Sequence, residues 1–98
     1  MKLEFRTHNL STASINLSEA TRLFGVQIGR KYVQRLAVLR ATDNFSHLYG
    51  HRALKLHSLK GDRAEQYAVS LTENYRLIIE KIEEDHIRII NVEDSHGN

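Results

Sequence analysis

Six histidines are spread through this chain of 98 residues, and their surroundings decide which of them could do chemistry. An imidazole titrates near neutrality, so it can move a proton or bind a metal. The run Leu56-His57-Ser58-Leu59-Lys60-Gly61-Asp62-Arg63 offers an imidazole, two cations and a glycine turn between two strand-like stretches. A second candidate is the tail Asn91-Val92-Glu93-Asp94-Ser95-His96-Gly97-Asn98, in which His96 closely follows a strand pattern. Taken alone, each segment is more often an ordinary turn or polar terminus than a site. His47 and His51 are four apart, a spacing at which one helix can offer two imidazoles to a metal. Gly50 lies between them, no Glu follows His47 and no third ligand is indicated, so no metal site and no cofactor are expected. His8 and His86 sit beside polar residues and read as exposed turn residues.

Composition sets the frame in which these groups must work. The length suits one domain covering residues 1–98, and an apolar share of 41 % suits a globular core. There is no cysteine, which excludes disulfides, thiolate zinc sites and thiol catalysis and fits a reducing compartment. No stretch reaches the roughly 20 apolar residues that cross a bilayer. Met1 to Arg6 alternates polar and apolar residues without a signal-peptide core, so a soluble, cytoplasmic protein with no membrane partner is expected. The charge is uneven. Residues 1–63 carry eleven Lys/Arg against four Asp/Glu, a balance of +7, and residues 64–98 carry three against eight, a balance of −5. A basic region of that kind attracts a polyanion or an acidic partner, or is simply a solvated surface.

The elements that would position the candidates follow from periodicity. Lys2 to Arg6 reads as a short strand. Leu10, Ala13, Leu17, Ala20 and Phe24 predict a helix over about residues 11–24, stopped by Gly25. Ile28, Tyr32, Leu36 and Leu39 predict a second helix from Val26 to Ala41, forming a helical hairpin with the first. Asp43 to Tyr49 adds a short helical turn. The period then changes to two. Leu54 and Leu56 alternate with Lys55 and His57, and strands are predicted over 66–71, 75–81 and 87–92, linked by short polar hairpins at 72–74 and 83–85. The expected class is α+β: an N-terminal strand and helical hairpin packed on one face of an antiparallel sheet.

At this point the residues resemble a family. His57-Ser58-Leu59-Lys60-Gly61-Asp62-Arg63, then Tyr67, then Asn74-Tyr75-Arg76-Leu77 and a terminal Asp94-Ser95-His96 are similar, in order and spacing, to the HigB-type toxins of the RelE/ParE superfamily. Those proteins typically carry His-Pro-Leu-Lys-Gly-Asp-Arg, an aromatic, Asn-aromatic-Arg and a final Asp-Tyr-His. The likeness covers residues 54–96 closely; over residues 1–53 it is a match of elements and length. Ser58 stands where the family has proline, and Ser95 where it has a tyrosine placed against RNA, which puts base stacking in question.

The resemblance implies a RelE-like fold and the toxin of a type II toxin–antitoxin pair, a ribosome-dependent mRNA endonuclease that stops translation. Its partners would be a HigA-type helix-turn-helix antitoxin, the ribosome and mRNA, with operator DNA reached only through the antitoxin. Cleavage would proceed by attack of the ribose 2′-OH on the adjacent phosphate. His57 and His96 would then supply base and acid, Lys60 and Arg76 the charge on the phosphorane, and Asp94 the orientation of an imidazole. Lys55, Arg63 and Ser95 would contact RNA. Two other readings stand beside this one. One is a ParE-like protein that binds gyrase without nuclease activity, which would not need His57, Lys60 and His96 in register. The other is a degenerate member kept as an antitoxin-binding module, with Ser95 as its mark.

Overall fold

The computed structural model describes residues 1–95. Five strands form one sheet in the order β1-β5-β4-β3-β2: β1 Lys2–Phe5, β2 His57–Ser58, β3 Gln66–Ser70, β4 Tyr75–Glu83 and β5 His86–Asp94. The three long C-terminal strands run antiparallel and consecutively, as their alternation predicts. β1 enters the sheet itself, at its edge and parallel to β5, with Leu3 opposite Ile87 and Phe5 opposite Ile89. The sheet is therefore mixed, where an antiparallel one was expected. The crossover that parallel pairing requires is supplied by everything between β1 and β5, the helices and the three antiparallel strands β2 to β4.

The predicted helix at 11–24 is two helices, α1 His8–Ala13 and α2 Leu17–Phe24. The reason lies in Asn16. Its side chain accepts a hydrogen bond from Glu19 N at 3.1 Å, capping α2 and competing with helical continuation through residues 14–16. Thr7 caps α1 in the same way through Leu10 N. The third helix, α3 Val26–Ala41, has the predicted bounds. Gly25 ends α2 and opens α3 with φ at +86°, a conformation costly for other residues. α2 and α3 pack so closely that a Cβ at Gly29 would lie 2.8 Å from the backbone of Ala20 and Thr21. Gly29→Ala is accordingly expected to destabilise the fold by about 1–3 kcal/mol through overpacking. That outweighs the gain of up to about 1 kcal/mol in helix propensity, and a lower urea midpoint is the measurement that checks it.

After α3 the chain makes 3₁₀ turns at Phe45–Gly50 and Arg52–Leu54. Lys55 then adopts a left-handed backbone, φ +49°, which breaks the alternation read for residues 54–57 and leaves β2 only two residues long. One sheet face carries Val69, Leu71, Leu77, Ile79, Ile87 and Ile89, all buried against Leu10, Ala20, Tyr32, Leu36 and Leu39 from the helices. Leu17, expected on that buried side, is half exposed at 49 %. Among the described residues no helix is long and apolar enough to cross a membrane.

β5 is irregular along its length. Ile79 pairs with Ile89 but Ile78 pairs with Asn91, so Ile90 is an extra residue, a β-bulge. Beyond it the parity of β5 reverses: Val92 faces Leu77 on the core side, and Glu93 faces Arg76 on the outer side.

Candidate active site

That outer face holds a cleft of about 270 Å³ at the β2 side of the sheet. Lys55 and His57 form one wall, Ala68, Ser70 and Arg76 lie across β3 and β4, and Tyr75 and Ser95 lie at the far end. Thr72 and Glu73, from the turn between β3 and β4, complete it. Four of the sequence candidates, Lys55, His57, Arg76 and Ser95, are thus brought together from three separate stretches of chain.

His57 is exposed and sits on the edge strand opposite Ala68. Its Nδ1 lies 2.9 Å from the carbonyl oxygen of Lys55. A carbonyl only accepts, so in this bond Nδ1 carries the hydrogen and Nε2 of the neutral ring keeps its lone pair. The left-handed turn at Lys55 therefore does more than shorten β2, because the same residue supplies the acceptor that orients the imidazole. A ring held this way can accept a proton at Nε2 or, once protonated, return it.

Arg76 projects from β4 with its side chain 17 % exposed. Its Nη2 is 3.6 Å from Glu93 Oε1, and its Nε is buried without a hydrogen-bond partner among the described residues. Arg63 engages the same carboxylate with both prongs, Nη1 to Oε1 at 2.9 Å and Nη2 to Oε2 at 2.8 Å, while its Nε donates to Gln66 Oε1 at 3.1 Å. Gln66 is on β3 and Glu93 on β5, so the Arg63 side chain spans β4. Arg63 is not among the cleft residues; it clasps the loop after β2 to the last strand. The Arg63 hydrogen bonds, with help from its charge and that of Arg76, hold the Glu93 carboxyl below the usual carboxylate range against the opposing effect of burial.

This clasp makes stability pH-dependent. A carboxylate with a lowered folded-state pKa contributes stability above its unfolded pKa, and that stability is lost as pH falls through the folded value. The parent should exceed Glu93→Gln in stability near pH 7 by on the order of 1 kcal/mol. The difference should shrink as pH drops below the usual Glu range, as followed by thermal unfolding of the two proteins across pH. A constant difference at every pH would refute the role given to the carboxylate charge.

Lys60 is exposed in the loop between β2 and the turn at Gly61–Arg63 and does not line the cleft. Asp94 ends β5 opposite Tyr75. Ser95 is stitched to the turn before β4: its N donates to Asn74 O at 2.7 Å and its hydroxyl to the same oxygen at 2.9 Å. His96 lies outside the described residues. His51 Nε2 is 3.4 Å from Thr42 Oγ1, and among the described residues no group of three or more His, Cys, Asp or Glu could hold a metal. His8 is exposed in α1. His86 is not the exposed turn residue expected; it opens β5 and bonds Glu4 at 3.0 Å. Glu93 escaped the sequence reading, as did the cleft position of Tyr75, although Tyr75 belongs to the Asn74-Tyr75-Arg76 motif.

No family model matches the chain, and no curated protein matches it in sequence. Solved structures do match, at low identity. The YoeB/ParE toxin from Agrobacterium tumefaciens superposes with a TM-score of 0.62 at 16 % identity, over 96 % of this chain and 98 % of that one. A chain of the YoeB-YefM complex from Staphylococcus aureus gives 0.62 at 15 %, over 95 % and 94 %. YafQ from E. coli strain BL21(DE3) gives 0.60 at 14 %, over 98 % and 94 %. Over nearly its whole length, this chain has the α+β fold seen in the YoeB/ParE toxin and in YafQ.

Proposed function

We propose that this chain is the toxin of a type II toxin–antitoxin pair, of the HigB kind, that stops translation by cutting mRNA on the ribosome. The observation that carries the reading is the cleft wall itself: an imidazole with Nδ1 anchored on Lys55 O and Nε2 available, in a cleft that Arg76 and Lys55 also line. The fold it shares with the YoeB/ParE toxin supports the same reading. One domain, residues 1–98, working in the cytoplasm without metal or cofactor, is sufficient for this chemistry.

In the reaction, the ribose 2′ oxygen attacks the adjacent phosphorus as a base removes its proton. The bond to the 5′ oxygen breaks as an acid protonates that oxygen, leaving a cyclic phosphate and a 5′-hydroxyl. His57 and His96 are the pair assigned to these proton transfers, and Asp94 is assigned to orient an imidazole. Arg76 and Lys60 carry the charge that develops on the phosphorane; Arg can grip two of its oxygens, while Lys acts as a point charge. Lys55 and Arg63 hold the flanking phosphates, with Ser95 against the RNA. An antitoxin of HigA type, with a helix-turn-helix domain, would neutralise the protein and link it to operator DNA. Complex formation of that sort accords with the YoeB-YefM complex.

Induction of the chain alone in a bacterial host tests the reading. Translation should arrest, primer extension should reveal cuts within ribosome-bound messages, and co-expression of the antitoxin should relieve both. Growth arrest with intact mRNA and inhibited gyrase would point to a ParE-like action. Normal growth and intact mRNA would mark a degenerate antitoxin-binding module, for which Ser95 in place of the family's tyrosine is the argument.

A further inference from the structure

The clasp of Arg63, Glu93 and Arg76 is built as an anion site that already has an occupant. Two guanidinium groups from separate elements converge on one carboxylate, one of them through a two-pronged fork at 2.8 and 2.9 Å. That fork matches phosphate as well as it matches carboxylate. The second guanidinium is poorly served. Arg76 reaches Glu93 only at 3.6 Å, and its buried Nε has no acceptor among the described residues. A buried charged donor left unmatched is costly, and it marks a place where an acceptor is missing. A phosphodiester brings two unesterified oxygens, enough to take donors from both arginines. Arg76 also lines the cleft beside His57 and Ser70, so the clasp is continuous with the proposed cutting site.

We infer that Glu93 is a resident competitor for RNA phosphate: its carboxylate holds Arg63 and Arg76 together while the cleft is empty, and a phosphate of the message takes its place. This rests on the nuclease reading for the identity of the phosphate's owner. The anion site itself does not depend on it. The exchange keeps two like charges paired at every stage, because the guanidinium groups never face one another without an anion between them. It sets Glu93 apart from a mere structural clasp. A clasp is broken equally by removing either partner, whereas a competitor and the group it competes for must have opposite effects on binding.

The experiment compares Glu93→Gln with Arg63→Gln, two variants that break the same ion pair. The first probe is a short RNA with 2′-O-methyl riboses, which cannot be cut because the nucleophile is blocked. Glu93→Gln should bind it about tenfold more tightly than the parent at low salt, and the slope of log affinity against log salt should steepen by roughly 0.7 for each added phosphate contact. Arg63→Gln should bind more weakly than the parent with a shallower slope. The second probe is inorganic phosphate, read as the rise in Tm that a ligand of the folded state produces. Glu93→Gln should gain more than the parent and Arg63→Gln less. If no protein binds the RNA but the phosphate series keeps this order, the anion site stands and the nuclease reading falls. If Glu93→Gln is no tighter than the parent toward both probes, or if both variants weaken alike, the competitor role is overturned and Glu93 is a structural tie.

Discussion

Replacing His57 with alanine is expected to slow cleavage of a ribosome-bound message by about 10² to 10⁴, the usual cost of losing a general acid or base. The ring is on the wall of the cleft, its Nδ1 is committed to Lys55 O, and Nε2 is the atom left for the substrate. The side chain is exposed, on a strand of only two residues, so its removal should leave the fold and antitoxin binding intact. Single-turnover cleavage with circular dichroism on the same preparations separates a chemical defect from an unfolded one. His96→Ala should show a loss of the same order, and the parental rate should be bell-shaped in pH, because one group must begin protonated and the other unprotonated. His8→Ala is the suitable control, since that residue is exposed on α1, outside the cleft. His86 is unsuitable, because it bonds Glu4 across β1 and β5. A His57→Ala protein that cuts at the parental rate would reduce His57 to a turn residue and remove the central support for the nuclease reading.

Arg76→Ala should lower the rate at saturating message by about 10² to 10³, the loss typical when one preorganised donor to a developing negative charge is removed. Of the two cations that line the cleft, Arg76 is the one held in the sheet, on the central strand β4 and 17 % exposed, whereas Lys55 is exposed. Preorganisation matters because a donor that is already in place costs no rearrangement when the phosphorane forms. Arg76→Lys should fail to restore the rate, since an ammonium cannot span two phosphate oxygens. The Arg63–Glu93 pair remains in both variants, so both should fold. A full rate in Arg76→Lys would show that only net charge is required there and that the two-pronged geometry is irrelevant.

Much of this architecture is legible in the sequence, and the reasons are local. The bounds of α3 follow from a helical stripe that begins after Gly25. The strands β3 to β5 follow from alternation broken by short polar turns, because period and turn chemistry act over a few residues. His57, Arg76 and Asp94-Ser95-His96 stand out for a different reason, a resemblance in order and spacing to the motifs of a toxin family. What could not be read is what depends on distant pairing. The break at residues 14–16 needed the choice of Asn16 as a cap over a continuous helical stripe, a choice of local chemistry that the apolar pattern hides. The parallel pairing of β1 with β5 joins the two ends of the chain and leaves no local trace. The bulge at Ile90 is decisive for the site. Extending the alternation of Ile87 and Ile89 puts residue 93 on the core side, whereas the extra residue reverses the parity and brings Glu93 opposite Arg76, within reach of Arg63. The amino acids therefore declare which candidate imidazoles, cations and carboxylates are present. Which carboxylate meets which arginine was decided only by the register of two strands, because a single inserted residue turns every later side chain to the other face.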